Sequence, residues 1–364
     1  MKPSSFRPLA GAVVLLGLSV LGSAQTATTD PVGFMTLPIN AAGAPGAKAI
    51  SFRALGLFRP VDFQGVASSV SANPLNSPTP DSISITSPGW TANQFNGANG
   101  KYYVELLGAA GVAGAGTTYD IVSTTLATDP NTQVVTGTLT LAQRLADNVA
   151  GTPAFRIRKH WTIADAFGAA NDKGLAGGTA TTADIIQVYS GGTYLKYYYN
   201  TAAPGWRLGT DTTTDVGGTV LYPDDGLVII RQGANTSQTT QVVVMGAVKT
   251  GQTSFPIVAG QNFLANPYAA PMTLGSSNLY TTDPATGVAA GFATTADQVL
   301  IYNGTNYDTY YYSAGGSPGA GWRKVNGGTA DASATPIPAG SSFIVKRINP
   351  GSFNWVSPQH PVSF

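Results

Sequence analysis

The 364-residue chain has no cysteine, a single glutamate (Glu105) and two histidines (His160 and His360). Without cysteine there is no disulfide staple, no thiol nucleophile and no thiolate metal ligand. With one Glu against 17 Asp, the chain lacks a residue that commonly covers helix surfaces. Asp and Thr, together with 44 Gly and 24 Pro, suit strands and turns instead. The fold class this predicts is all-β, built of tandem β-sandwich-like or meander modules. Charge is scarce as well, at 10% charged residues and a formal net charge of +1, so there is no electrostatic footprint for nucleic acid or anionic lipid. Beyond the first two dozen residues, no apolar run approaches the about 20 residues that a membrane-spanning helix needs.

Those first residues are themselves distinctive. Lys2 and Arg7 precede an apolar run from Leu9 to Leu21, followed by Gly22-Ser23-Ala24. Residues 1–24 read as a signal peptide cut after Ala24. Export to the cell surface, the extracellular space or the periplasm is the expectation. Losing Lys2 and Arg7 leaves 17 basic against 18 acidic residues. An exported chain without disulfides must be stabilised by burial, and 43% hydrophobic residues with 16 Tyr, 14 Phe and 5 Trp permit it.

Short runs rich in β-branched and aromatic residues recur between turn signals. The clearest are Ser82–Thr86, Gln133–Leu141, Phe155–His160, Asp184–Tyr189, Tyr194–Asn200, Leu227–Arg231, Gln298–Tyr302 and Tyr307–Ser313. Two segments have helical spacing: Leu141–Val149, with Leu141, Leu145 and Val149 at i, i+4 and i+8, and Thr162–Phe167.

One unit occurs twice. Asp184, Tyr189, Tyr194 and Tyr197–Tyr199 recur 113 residues later as Asp297, Tyr302, Tyr307 and Tyr310–Tyr312. Trp206-Arg207 matches Trp322-Arg323, Asp215 matches Asp331, and Arg231 matches Arg347. Repeat units at 151–250 and 251–364 follow, with 25–150 as an N-terminal β domain in which Phe52-Arg53-Ala54-Leu55 faintly echoes Phe263-Leu264-Ala265-Asn266. Duplication of this kind suggests modules packed along a line. Gly191-Gly192 and Asn303-Gly304 occupy equivalent hairpin positions, because these residues tolerate positive φ. After the turn, Tyr194, Lys196 and Tyr198 share one strand face and Leu195, Tyr197 and Tyr199 the other, with Tyr307, Thr309 and Tyr311 repeating the first face.

The stretches DPVGFMTLPI, GTTYDIVSTT, IRKHWTIADAF, ADQVLIYNGTNYDTYYY and PAGSSFIVKR resemble a paralogous family of exported, β-rich proteins of Verrucomicrobiota. The resemblance spans nearly the whole chain and implies export and a shared fold. Its motifs are strand and turn signatures, and no functional residue is carried over with it.

Catalytic chemistry finds little support. Neither His160 nor His360 has a partner motif, and there is no G-x-S-x-G elbow. Asp residues are too numerous to single out the facing pair of a glycosidase, and Asp215 and Asp331 read as structural partners of Arg207 and Arg323. Asp211, Asp215, Asp224 and Asp225 offer hard oxygen ligands for Ca²⁺, yet no Ca²⁺-binding loop pattern surrounds them. No cofactor or metal site is expected. A C-terminal Phe364 is a feature of outer-membrane barrels, but Pro358 and Pro361 interrupt that segment. Trp206 and Trp322 read as core anchors. The expected function is a non-enzymatic structural or interaction protein of the cell envelope or extracellular matrix, with other envelope proteins or polysaccharide as partners. The alternative is a polysaccharide-binding protein using exposed Tyr strips, with Tyr194, Tyr198, Tyr307 and Tyr311 as its ligand-binding residues.

Overall fold

The computed structural model describes residues 30–44, 47–74, 77–97, 100–108, 112–146, 149–232, 238–317 and 319–358. The expected leader and the closing residues 359–364, with His360, Pro361 and Phe364, lie outside them. Over the described residues the fold is all-β, with one short helix, and every ladder between named strands is antiparallel. None of the sheets closes into a barrel.

Strands β1 (Val32–Ile39) and β2 (Ala49–Arg53) come first. Seven follow: β3 (Val61–Val66), β4 (Ser69–Ser71), β5 (Ser82–Thr86), β6 (Tyr102–Leu106), β7 (Thr118–Thr128), β8 (Val135–Leu141) and β9 (Ala154–Lys159). These make one sheet, in the order β3-β9-β6-β7-β8-β5-β4. Next are β10 (Trp161–Thr162), helix α1 (Ile163–Phe167), β11 (Ile185–Ser190), β12 (Thr193–Asn200), β13 (Gly205–Leu208), β14 (Val220–Leu221), β15 (Leu227–Arg231) and β16 (Thr240–Ala247). The chain continues through β17 (Thr253–Ile257), β18 (Gly260–Ala265), β19 (Met272–Thr273), β20 (Gln298–Tyr302), β21 (Tyr307–Ser313), β22 (Gly321–Lys324), β23 (Pro336–Ile337), β24 (Ser342–Arg347) and β25 (Phe353–Ser357).

The pairing pattern outside the seven-stranded sheet occurs twice. The sheet β13-β12-β11-β15-β2 is matched by β22-β21-β20-β24-β18, and the ribbons β1–β16 and β10–β14 are matched by β17–β25 and β19–β23. Each module therefore has nine strands. Strands β1 and β2 lie in the segment expected to form a separate N-terminal domain, yet they pair with β16 and β15 of the first repeat. Phe52 stands opposite Val228 as Phe263 stands opposite Ile344, so the faint sequence echo at these positions is a structural equivalence. By the same count Pro60 corresponds to Pro271, and Trp161 corresponds to Met272 because it stands opposite Leu221 as Met272 stands opposite Ile337. The second pair is continuous in sequence within module 2, whereas in module 1 the seven-stranded domain enters between Pro60 and Trp161. Its two ends leave side by side because β3 and β9 are neighbours, with Val61 opposite Arg158. Across the insertion, the Trp161 indole donates to the Leu57 carbonyl at 2.9 Å.

Each module buries the inward-facing half of its alternating strands. In module 1, Ile186, Val188, Tyr197, Trp206, Leu227 and Ile229 meet Val242 and Val244 of the ribbon. In module 2, Val299, Tyr310, Trp322, Phe343 and Val345 meet Phe353 and Trp355. The inserted domain has its own core around Ile83, Trp90, Val104, Leu139, Phe155 and Ile157. Trp206 and Trp322 are 1% and 3% exposed, and each is met edge-on by an equivalent tyrosine, Tyr199 and Tyr312.

Two local readings of the sequence need amendment. The segment from Leu141 buries Leu141, Leu145 and Val149 as its spacing demands but forms no helix in its described part, because the Asp81 carboxylate takes the Leu145 N–H at 2.7 Å and its carbonyl takes that of Leu141 at 2.9 Å. The second hairpin turns about Gly304-Thr305 rather than Asn303-Gly304: Asn303 pairs with Asn306, and its side-chain oxygen accepts from the N–H groups of Thr305 and Asn306. The other helical reading holds, with Thr162 capping α1 by accepting from the Asp165 N–H.

The two modules meet through the same surface. Phe52 packs against Phe263 at 5.9 Å between ring centroids and against Tyr307 at 5.2 Å, while Phe263 packs against Tyr194, the counterpart of Tyr307, at 6.0 Å. The Ala54 N–H donates to the Gly340 carbonyl, and its counterpart, the Ala265 N–H, donates to the Asp224 carbonyl, both at 2.9 Å. Val228, Ile344 and Leu300 complete the contact. Such reciprocity is that of a two-fold, self-complementary interface, which closes rather than propagates. The copies are face to face, not strung along a line.

Candidate functional site

The repeated charged residues are structural. Asp184 and Arg231 of module 1, like Asp297 and Arg347 of module 2, are almost wholly buried partners, because β11 lies beside β15 and β20 beside β24. Asp297 accepts from the N–H groups of Ala289, Ile348 and Asn349 as well as from Arg347. Asp215 accepts from the Trp206 N–H, and Arg207 and Arg323 lie 3.6 and 3.3 Å from Asp215 and Asp331. Asp211 closes a turn through the N–H groups of Thr213 and Thr214, whose hydrogen bonds, with the threonine hydroxyls, hold its carboxyl well below the ordinary range. Among the described residues, no group of three or more His, Asp or Glu is arranged to hold a metal.

The four tyrosines singled out from the sequence separate into two pairs. Tyr194 and Tyr307 come together at the module contact, where burial and then the nearness of Tyr194 and Tyr302 raise the Tyr307 hydroxyl above its usual pKa. Tyr198 and Tyr311 form no open strip, being 2% and 8% exposed. The Tyr198 ring is packed with Ala183 and Ile185. A tyrosine-rich strand with apolar neighbours on both sides serves packing on both faces, which is why it reads as sticky in sequence without being exposed.

An open groove lies on this sheet beside the module contact. The module contact covers the half of the outer face carrying Val228, Tyr189 and Phe52, and the other half forms a groove of about 660 Å³. Ile185, Ile230 and Tyr198 make its apolar floor, Gln187 and Lys196 stand in its middle, and Tyr194 borders the module contact. Lys48 and Gln232 close one end, and Gly209 and Thr210 lie along the β13 side. No carboxylate lines it. At the equivalent positions module 2 has Gln298 for Ile185, Leu300 for Gln187, Thr309 for Lys196, Lys346 for Ile230 and Val325 for Gly209. The last match is fixed by hydrogen bonding, since the Gly209 N–H donates to the Lys196 carbonyl and the Val325 N–H to that of Thr309.

A second polar cluster joins the inserted domain to module 1. His160 Nε2 and the Asp120 carboxylate are 2.8 Å apart, and the Tyr222 hydroxyl donates to Asp120 at 3.2 Å. Burial works to raise the Asp120 carboxyl, but the bond to and charge of His160 win and hold it below its ordinary value. Burial and the Asp120 charge push Tyr222 up to about 12. Asp224 and Asp225 are raised by burial, and Asp225 further by the charge of Asp224. Deeper in the junction, Glu105 contacts Lys249 and Arg158, and Arg158 also reaches Asp30. The cavity enclosed between His160, Tyr222 and Leu57 is about 20 Å³, room for one water. These groups staple two domains together, and on their outer side Asp120, His160 and Tyr222 border a shallow pocket of about 210 Å³ shared with Lys101 and Tyr102.

Comparison with models of protein families, with curated proteins and with solved structures found no match to this chain.

Proposed function

We propose that the protein is an exported, non-enzymatic structural or interaction protein of the cell envelope or extracellular matrix, related to the exported Verrucomicrobiota proteins it resembles. The observation that carries this reading is the reciprocal contact between the two modules, which joins two cores into one body without disulfides. Supporting it, the charged groups best placed for chemistry are engaged in pairs that hold strands or domains together. The signal-type leader and the low overall charge agree with a protein that works outside the cytoplasm. No helix of the described residues is long and apolar enough to cross a membrane.

The test is fractionation of cells that make the protein, followed by washing of the envelope and matrix material. Retention with surface material is the expected result. Recovery solely as a free periplasmic protein with measurable turnover on a glycan or ester substrate would overturn the reading.

A further inference from the structure

We propose that the open half of the first module's outer sheet face binds an acidic polysaccharide, with Lys196 and Lys48 at its anionic groups and Gln187 and Tyr194 at its hydroxyls. A volume of about 660 Å³ lies within the roughly 300–1,000 Å³ typical of ligand sites. The sign of the ligand follows from the lining, which holds two lysines and no carboxylate. Neither lysine is engaged elsewhere among the described residues: Lys48 and Lys196 are exposed, and neither belongs to an ion pair. The chain as a whole is close to neutral, so this local excess is not a reflection of general basicity.

The class of ligand follows from where the groove runs. Peptides that join a sheet do so along an edge strand through main-chain hydrogen bonds. This groove instead crosses β12, β11 and β15, whose main-chain groups are already paired with one another. An occupant must be read by side chains: amides and hydroxyls for its polar edges, and Ile230 and the Tyr194 ring for its apolar faces. Sugar rings present both kinds of surface. The internal repeat supplies a control, because module 2 has the same backbone but places Thr309, Lys346 and Val325 where the groove has Lys196, Ile230 and Gly209.

The inference rests on the exported-surface reading only for where the ligand is met. Failure of binding by the purified protein leaves that reading standing, and failure of the fractionation leaves binding standing. The experiment is affinity electrophoresis and calorimetry of the full-length protein with polygalacturonate, dextran sulfate and unsubstituted dextran. The two acidic polymers distinguish carboxylate from sulfate, and binding of either supports the site. Lys196→Gln is expected to weaken binding about tenfold, equivalent to about 1.4 kcal/mol, with an unchanged unfolding midpoint. Gly209→Val, which introduces the module 2 residue, is expected to weaken it by at least as much. A side chain fits there, since a Cβ at Gly209 comes no nearer than 3.4 Å to its neighbours. Lys346→Gln on the matching face of module 2 is expected to change nothing. Equal binding of unsubstituted dextran, equal loss in Lys346→Gln and Lys196→Gln, or no binding of any polymer would overturn the proposal.

Discussion

Changing Asp297 to Asn alters one atom in a fully buried site. The carboxylate receives Arg347 Nη1 at 2.9 Å, the N–H groups of Ala289, Ile348 and Asn349 at 2.9, 2.7 and 3.0 Å, and the Asn349 amide at 3.1 Å. Every partner is a donor. An amide NH₂ in place of either oxygen faces a donor with a donor, and the guanidinium loses its counter-charge inside the protein. Breaking a buried ion pair from one side costs about 3–5 kcal/mol, against the roughly 5–15 kcal/mol that holds a domain together. With a urea dependence of about 2 kcal/mol per molar, the unfolding midpoint of module 2 should fall by about 2 M. Tryptophan fluorescence through a urea titration reads this directly, because Trp322 and Trp355 lie in that core. The matching change, Asp184→Asn, should lower module 1 by somewhat less, since Asp184 sits 3.4 Å from Arg231 Nε where Asp297 sits 2.9 Å from Arg347 Nη1. A midpoint shift below about 0.5 M for Asp297→Asn would refute the argument that these pairs hold the modules' strands in register.

Truncating Trp206 to Ala removes a filled core volume and the 2.9 Å hydrogen bond to the Gly168 carbonyl, at a cost of about 3–5 kcal/mol. Limited proteolysis should then show cleavage in module 1 with the inserted domain's core protected, and Trp322→Ala should expose module 2; wild-type protection in both variants would refute the core assignment. The crowded pair Asp224 and Asp225 yields a pH-dependent effect of known sign. Burial raises the folded-state pKa of Asp225, so the native state binds more protons, and stability contributed there is lost as pH rises through that value. Asp225→Asn should therefore raise the melting temperature at pH 7 and have no effect below the unfolded carboxyl pKa of about 3.9. A stabilisation that persists unchanged at pH 3 would have another cause.

Much of the fold was legible because alternation and turn chemistry are local. Leu227–Arg231, Gln298–Tyr302 and Tyr307–Ser313 have the bounds their residue pattern implies. Strands β1 and β17 were not legible: each contains a proline, Pro38 and Pro256, and each belongs to a two-stranded ribbon, where one side of the strand needs no ladder. The insertion was hidden because its evidence is non-local. Pro60 and Trp161 are a hundred residues apart in sequence, and only the pairing of β2 with β15 shows that they bracket a foreign domain. Asp184 and Arg231 are each visibly repeated, but their partnership appears only when β11 and β15 become neighbours. At the groove the tyrosines drew attention through their abundance, whereas Lys196, Gln187 and Gly209 differ between the copies and carry the asymmetry.

Two equivalent nine-stranded modules form one interlocked body, into the first of which a self-contained domain is inserted. Joining Pro60 directly to Trp161, with residues 61–160 removed, reproduces in module 1 the continuous connection that module 2 has between Pro271 and Met272. Urea unfolding of that shortened chain, followed by near-ultraviolet circular dichroism, is the most direct measurement. A cooperative transition with the tertiary signals of Trp206, Trp322 and Trp355 retained is expected, because both module cores and the Phe52–Phe263 contact lie wholly in what remains. A shortened chain that has strand content but no tertiary signal, or in which module 2 alone unfolds cooperatively, would contradict this arrangement.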